Sequence, residues 1–214
     1  MILISQHSRL LGVQFPQEAV FRVNAAWIKT RTELFDLIEQ INGKVFLDYP
    51  KNRTKPPLPT LLLEDMFEAM ERFRKIEFFA VSNVVGVHSV EEIRTILPNR
   101  TILVPKIESK EGINSLEVIM DSLNVGDCYL MLDKEDLYTD LDKDDQLFEK
   151  YIDIVRGKCK KGGYKLLELM GVIFSDECTK QTVMSQKERT IESIQYNKPE
   201  IESNDDVKAV LHRL

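Results

Sequence analysis

The sequence predicts an α/β protein built around a parallel sheet. Short apolar runs alternate with amphipathic helical runs, and the apolar runs are continuous rather than alternating with polar residues. Of the 214 residues, 43% are hydrophobic and 30% are charged, which is enough to bury a sizeable core. Continuous apolar strands are typical of a parallel sheet covered by helices. Periodicity leaves open whether the sheet is open and doubly wound or closed into a (β/α) barrel.

Six segments read as strands, because each is a short apolar run bounded by polar or turn-forming residues. They cover residues 20–25, 44–48, 77–82, 101–108, 128–133 and 164–169. Between them, apolar residues recur at steps of three and one, as in Leu34, Leu37, Ile38 and Ile41. The same spacing recurs at 66–76, 116–123 and 148–155. Each run can lay one apolar stripe on a sheet, so the unit predicted is a repeated strand and helix.

Two segments depart from this alternation. Residues 48–59 form a basic, proline-rich stretch that bars a helix or a central strand. Residues 184–214 are polar and charged, and we interpret them as a tail or a packing helix that follows a barrel-type domain at 1–183. The run 140–145 carries four aspartates, which we interpret as the start of a helix rather than a calcium loop.

Composition excludes several classes of protein. The net charge of −6 argues against a nucleic-acid surface, which needs a basic face. No window approaches the roughly 18 consecutive apolar residues of a membrane span. The three cysteines are odd in number and widely spaced, which fits neither a disulfide framework nor a zinc knuckle. A cytoplasmic protein with neither a nucleic-acid nor a membrane partner is expected.

Polar side chains collect where the predicted strands end. In parallel α/β sheets the functional groups lie just past the carboxyl ends of the strands. The candidates are Arg22, Asn24, Asp48, Lys51, Arg53, Ser82, Asn83, Lys106, Glu108, Asp133 and Asp136. Arginine binds phosphate or carboxylate in a bidentate manner, whereas lysine acts as a movable point charge. Solvated surface cations are the alternative interpretation, which we prefer for Lys51.

Glu108 and Asp136 lie at equivalent places after consecutive predicted strands. Two carboxylates on one rim suit Mg²⁺ or Mn²⁺, because these ions take one or two protein carboxylates and fill their remaining positions with substrate oxygens and water. The alternative is that each carboxylate caps the following helix or pairs with a nearby lysine.

Several of these segments resemble the catalytic barrel of pyruvate kinases, in the phosphoenolpyruvate/pyruvate-binding TIM-barrel superfamily. Residues 106–114 (KIESKEGIN) are similar to the family's K-I-E-x-x-E-G-x-x-N. In order along the chain, 22–24 resembles R-x-N, 46–54 resembles D-x-x-G-P-K-I-R-T with a deletion, 58–65 resembles an L-P helix entry, and 78–82 resembles a strand ending in S-F-V. The resemblance implies a (β/α)8 TIM-type barrel, complete or incomplete, without the lid and without the C-terminal regulatory domain.

The resemblance also implies roles for individual residues. Glu108 and Asp136 would bind Mg²⁺ or Mn²⁺, and Lys106 would face the transferring phosphoryl group or the enolate oxygen. Arg22 would act with Lys106 in catalysis and contact substrate phosphate. The remaining substrate-binding candidates are Asn24, Asp48, Arg53 and Ser82. Ala25 and Ala26 replace the family's Ser and His, which removes part of its monovalent-cation site.

Three functions are therefore expected as alternatives. The first is a Mg²⁺-dependent enzyme that binds phosphoenolpyruvate, pyruvate or a related 2-oxo acid through an enolate, with pyruvate kinase-like phosphotransfer favoured. The second is a metal-dependent aldolase or citrate-lyase-type enzyme, because residues 132–137 also resemble the G-x-x-D-L of those enzymes. The third is a catalytically retired paralogue that acts as a binding or structural subunit. A second copy or a partner chain would complete an incomplete barrel.

Overall fold

The computed structural model describes residues 2–5, 11, 19–53, 56–169 and 189–190. Its centre is a parallel sheet of eight strands in the order β7-β6-β5-β4-β3-β2-β1-β8. The strands are β1 Ile2–Ser5, β2 Ala19–Asn24, β3 Lys44–Tyr49, β4 Ile76–Val81, β5 Ile102–Ile107, β6 Tyr129–Asp133, β7 Lys165–Leu169 and β8 Arg189–Thr190. Every neighbouring pair is parallel, so all carboxyl ends lie at one edge.

The predicted α/β class with a parallel sheet is confirmed, and the sheet curls into a half-barrel. All six strands expected from the sequence are present, each within two residues of the predicted bounds. Sequence reasoning missed β1 and β8, which are four and two residues long. A complete (β/α)8 barrel is not shown, because the described strand pairing leaves β7 and β8 as the two edges.

Seven helices connect the strands within the described residues. They are α1 Arg31–Gln40, α2 Leu63–Arg72, α3 Val87–Arg94, α4 Lys110–Asn114, α5 Leu116–Asp121, α6 Lys134–Asp140 and α7 Asp145–Gly162. α7 shows why they begin and end where they do. The Asp144 side chain accepts a hydrogen bond from the Leu147 amide at its start, as predicted for the aspartate run, and Gly163 ends it with φ of +74°.

The two faces of the sheet are buried against different partners. On the outer face, alternate strand residues such as Val45 and Leu47 pack under the helices. On the concave inner face, a second apolar cluster fills the interior. Its members are Leu3, Val20, Phe46, Phe78, Ala80, Val104, Tyr129, Met131, Leu167 and Leu169. Burial on both faces explains why the strands read as continuous apolar runs.

The proline-rich segment is irregular, as expected: its described residues after Tyr49 form neither helix nor strand before α2. Apart from Arg189–Thr190, the segment 184–214 lies outside the described residues, so its interpretation as a tail or packing helix, and the domain boundary at 183, stay predictions. In the part of the chain that the structure describes, no helix is long and apolar enough to cross a membrane.

Candidate functional site

A layer of charged side chains lies directly above the apolar interior, at the carboxyl ends of the strands. Successive residues of a strand point to opposite faces, so a residue two positions beyond an inward apolar residue also points inward. Inward residues therefore change from apolar to polar along each central strand. The pairs are Val20 and Arg22, Phe46 and Asp48, Ala80 and Ser82, Val104 and Lys106, and Met131 and Asp133.

Arg22 and Asp48 form a buried ion pair at the base of this layer. The Arg22 Nη2 and Nε atoms donate to Asp48 Oδ2 at 2.6 and 2.9 Å. The Lys106 ammonium lies 3.6 Å from the same oxygen. Burial acts to raise the pKa of Asp48, but the charges of Lys106 and Arg22 outweigh it and hold the pKa below its usual range. Asp48 is therefore ionised at neutral pH and lies between two cations.

Lys106 lies at the centre of the charged layer. Its Nζ is 2.8 Å from Glu108 Oε1 and 3.7 Å from Asp133 Oδ2, and it donates a hydrogen bond to Ser82 Oγ at 3.2 Å. Burial alone would lower the pKa of Lys106, but its carboxylate neighbours raise it well above its usual range. The lysine is therefore a fixed positive charge at every physiological pH.

Glu108 is buried and is held from two sides. Its Oε2 accepts a hydrogen bond from the Asn83 amide at 2.8 Å, and its Oε1 faces Lys106. Asn83 adopts a left-handed backbone with φ of +56°, and its side chain donates to the Lys51 carbonyl at 2.8 Å. Burial raises the pKa of Glu108, Lys106 opposes the rise, and Asp133 adds to it, so the pKa lies above its usual value. An additional cation at this point would stabilise the ionised form.

Three carboxylates converge beside Lys106. One oxygen each of Glu108, Asp133 and Asp136 lies within 4.8 Å of the others. Asp133 ends β6 and caps α6 by accepting a hydrogen bond from the Asp136 amide at 3.3 Å, which places Asp136 on the first turn. Carboxylate oxygens are the ligands that Mg²⁺ and Mn²⁺ prefer, so the chemistry of this donor set fits such an ion.

A small polar cavity opens beside these carboxylates. Its volume is about 220 Å³. The lining residues are Asn52, Arg53, Ser82, Asn83, Glu108, Ser109, Asp136, Thr139 and Asp140. The cavity is suited to a small polar molecule. Arg53 adds a positive charge to a lining that also contains carboxylates.

The resemblance assigned roles to eight residues, and the structure brings six of them into this layer. They are Arg22, Asp48, Ser82, Lys106, Glu108 and Asp136. The other two make local contacts. Asn24 Oδ1 accepts a hydrogen bond from the Ala26 amide at 3.0 Å and caps a 3-10 turn, Ala25–Trp27. Arg53 lines the cavity while donating to the Pro56 and Pro57 carbonyls.

Asp133 was among the strand-end candidates from the sequence but not among the predicted metal ligands. It ends the same strand that leads to Asp136, and it lies two residues beyond the inward Met131. This spacing of two residues indicates that the Asp133 side chain points to the same face of the sheet as Met131. The alternative predicted for Glu108 is observed, since it pairs with Lys106. The residue that caps α6 is Asp133 and not Asp136.

Comparisons with known proteins define the fold and nothing finer. No family model and no curated protein matches the chain. Among solved structures that do match is the crystal structure of RipC from Yersinia pestis. The two chains are 13% identical, the match covers 85% of this chain and 81% of that one, and the TM-score is 0.58. At this identity the similarity establishes a shared α/β architecture.

The resemblance to pyruvate kinases was wrong. The structural neighbour is not a pyruvate kinase, and no family model supports that assignment. Four of the short motifs that suggested it, at 22–24, 46–54, 78–82 and 106–114, include the carboxyl end of a strand. Functional groups of unrelated α/β proteins collect at that edge of the sheet, so polar residues at strand ends do not by themselves identify a family.

Proposed function

We propose that this chain is a Mg²⁺- or Mn²⁺-dependent enzyme that binds a small 2-oxo acid, such as pyruvate, and stabilises its enolate. The observation that carries the proposal is the placement of Glu108, Asp133 and Asp136 within 4.8 Å of one another, beside a cavity of about 220 Å³. A buried ammonium group, Lys106, adjoins the same carboxylates.

The charge balance of the layer supports a divalent cation. Two buried cations, Arg22 and Lys106, face Asp48 and the three converging carboxylates. When all four carboxylates are ionised, two negative charges remain, which equals the charge that one divalent ion neutralises. When bound, such an ion would act as a Lewis acid that polarises a substrate oxygen.

The protein's own residues supply the remaining electrostatics. Asp48 pairs with Arg22 and lies 3.6 Å from Lys106, so two positive charges are already present in the layer when negative charge develops on the substrate. Arg53 lies on the cavity wall, where it can bind a substrate carboxylate. The apolar interior below the layer excludes water, which strengthens each of these interactions.

Two reactions that were expected from the sequence pass through an enolate, namely phosphoryl transfer and carbon–carbon bond cleavage. Both stay predictions, and we propose the shared enolate step rather than either reaction. Phosphoryl transfer would require mainly positioning and charge neutralisation. Cleavage would also require a base within hydrogen-bond reach to move a proton, and so would enolate formation from pyruvate, because a methyl proton must be accepted as the enolate forms.

A second candidate function is a ligand-binding or structural subunit without catalysis. The 2.8 Å contact between Lys106 and Glu108 favours it, because the ammonium already neutralises one of the carboxylates that a metal would use. The two candidates differ in whether the bound 2-oxo acid reacts.

The test is a pair of measurements on the wild type and on Glu108→Gln. Isothermal titration of oxalate, which mimics the enolate of pyruvate, is expected to show binding that needs Mg²⁺ and is lost in the variant. Nuclear magnetic resonance of pyruvate in deuterated water should then show Mg²⁺-dependent exchange of the methyl protons. Binding without exchange would support the non-catalytic subunit, and absence of oxalate binding would overturn the proposal.

Closure of the sheet into a (β/α)8 barrel is also proposed. It is supported by β8, which pairs with β1 and lies against β7. The expected cytoplasmic location stays a prediction, as does the expected association with a second copy or a partner chain.

A further inference from the structure

Lys106 lies where a divalent cation bound by Glu108 and Asp133 would repel it. Its Nζ is 2.8 Å from Glu108 Oε1 and 3.7 Å from Asp133 Oδ2. Mg²⁺ binds carboxylate oxygens at about 2.0–2.1 Å. An ion on the same Glu108 oxygen would therefore come within a few ångströms of the ammonium group, in a layer where both positive charges are poorly screened.

The charged layer contains an acceptor to which the ammonium can move. Asp48 is 1% exposed, and its Oδ1 is buried without a hydrogen-bond donor. The other oxygen of that carboxylate is already 3.6 Å from Lys106 Nζ. A buried carboxylate oxygen without a donor is costly, and a short rotation of the lysine side chain toward Asp48 would satisfy it.

We propose that Lys106 is an internal counter-ion that pairs with Glu108 when the metal is absent and moves to Asp48 when the metal binds. This proposal rests on the metal site of the proposed function and assigns Lys106 a second role there. The lysine pairs with Glu108 in the empty site, and metal binding releases it. Its ammonium then joins Arg22 on Asp48, at the base of the layer.

The charge of Lys106 should therefore weaken metal binding. Replacing it by a neutral side chain of similar length removes the competing cation and leaves the carboxylates in place. Metal affinity should rise by at least about tenfold in Lys106→Met, which corresponds to ~1.4 kcal/mol. In Lys106→Arg the positive charge remains, and the affinity should stay within about threefold of the wild type.

The experiment is isothermal titration of Mn²⁺, and then of Mg²⁺, into the full-length wild type, Lys106→Met and Lys106→Arg. Lys165→Met is the matched control. Lys165 is the first residue of β7, at the opposite end of the sheet, and its Nζ contacts the Tyr129 hydroxyl at 3.2 Å. Its replacement removes the same unit of charge from the protein but not from the site, so the affinity should not change beyond about threefold.

Unchanged or reduced affinity in Lys106→Met would overturn the proposal and would make the lysine a support of the metal site. If neither the wild type nor any variant binds either ion, the metal site of the proposed function is refuted, which is distinct from refuting the role of Lys106. A measurement on the wild type covers the case in which Lys106→Met does not fold. The ammonium ¹⁵N resonance of Lys106, assigned through Lys106→Arg, should shift on addition of Mg²⁺, and an unmoved resonance would contradict the exchange of partners.

Discussion

Asp48→Asn tests whether the buried ion pair at the base of the charged layer stabilises the fold. Asp48 Oδ2 lies 2.6 Å from Arg22 Nη2 and 3.6 Å from Lys106 Nζ, and all three side chains are at most 6% exposed. At an effective dielectric constant of about 20, each attraction is worth about 4 kcal/mol before desolvation is subtracted. Removing one partner of a buried pair leaves uncompensated buried charge, and the net loss is about 3–5 kcal/mol.

The assay is urea unfolding followed by circular dichroism at neutral pH. The matched control is Glu77→Gln, which breaks a contact of similar length, 2.7 Å from Lys44 Nζ, between side chains that are 38% and 47% exposed. We expect that control to cost at most about 1 kcal/mol, because exposed pairs are screened by solvent. A loss in Asp48→Asn no larger than that of Glu77→Gln would refute the reasoning.

The effect of Asp48→Asn on stability should depend on pH. The pKa of Asp48 in the folded protein is below its ordinary value of 3.8. The ionised carboxylate therefore stabilises the fold above that pH, and the stabilisation is lost as the pH falls through the folded-state pKa. From roughly pH 5 to pH 7 the carboxyl is ionised in both the folded and the unfolded protein, so the stability difference between wild type and Asp48→Asn should be constant there. Below about pH 4 the difference should shrink.

Two further predictions concern packing and thiol chemistry. Gly112→Ala should lower the free energy of unfolding in urea by about 1–3 kcal/mol, because the added Cβ would lie 2.8 Å from the Val84 carbonyl oxygen. The control Gly157→Ala in α7 meets nothing within 4 Å and should raise it by up to about 1 kcal/mol. Equal effects of the two substitutions would contradict the packing argument. Cys159 should resist a thiol reagent at pH 8 while the partly buried Cys128 reacts, because burial, and then the charge of Glu168, raise the pKa of the Cys159 thiol to about 12. Peptide mapping by mass spectrometry identifies the labelled cysteine. Labelling of Cys159 in the folded protein would contradict the prediction.

The sheet was predictable from the sequence because both of its faces are buried. Strands such as Ile76–Val81 must be apolar at nearly every position, and that pattern is distinct from an amphipathic helix. β1 and β8 were missed because runs of four and two residues give too few positions to show a pattern. The short helix α4 likewise has five residues, less than two turns.

The site was predictable in its residue types but not in its partners. The rule that functional groups lie at strand ends selected Lys106 and Glu108 correctly as members of one layer. It could not show that they pair with each other. Nor could it show that Asp133, which caps α6, and Asp136, on the first turn of α6, both lie close to Glu108. Those relations depend on register and side-chain direction. For the same reason short motif matches at strand ends suggested a family that the fold comparison does not support.

The central claim is that three converging carboxylates bind a divalent cation. The most direct test is Mn²⁺ titration monitored by electron paramagnetic resonance, comparing the wild type with Asp133→Asn and Asp136→Asn. Asp36→Asn, on the exposed side of α1, is the control. We predict that Asp133→Asn and Asp136→Asn each weaken Mn²⁺ binding at least about tenfold, which is ~1.4 kcal/mol, while Asp36→Asn leaves it unchanged. Equal Mn²⁺ affinity in all four proteins would contradict the claim.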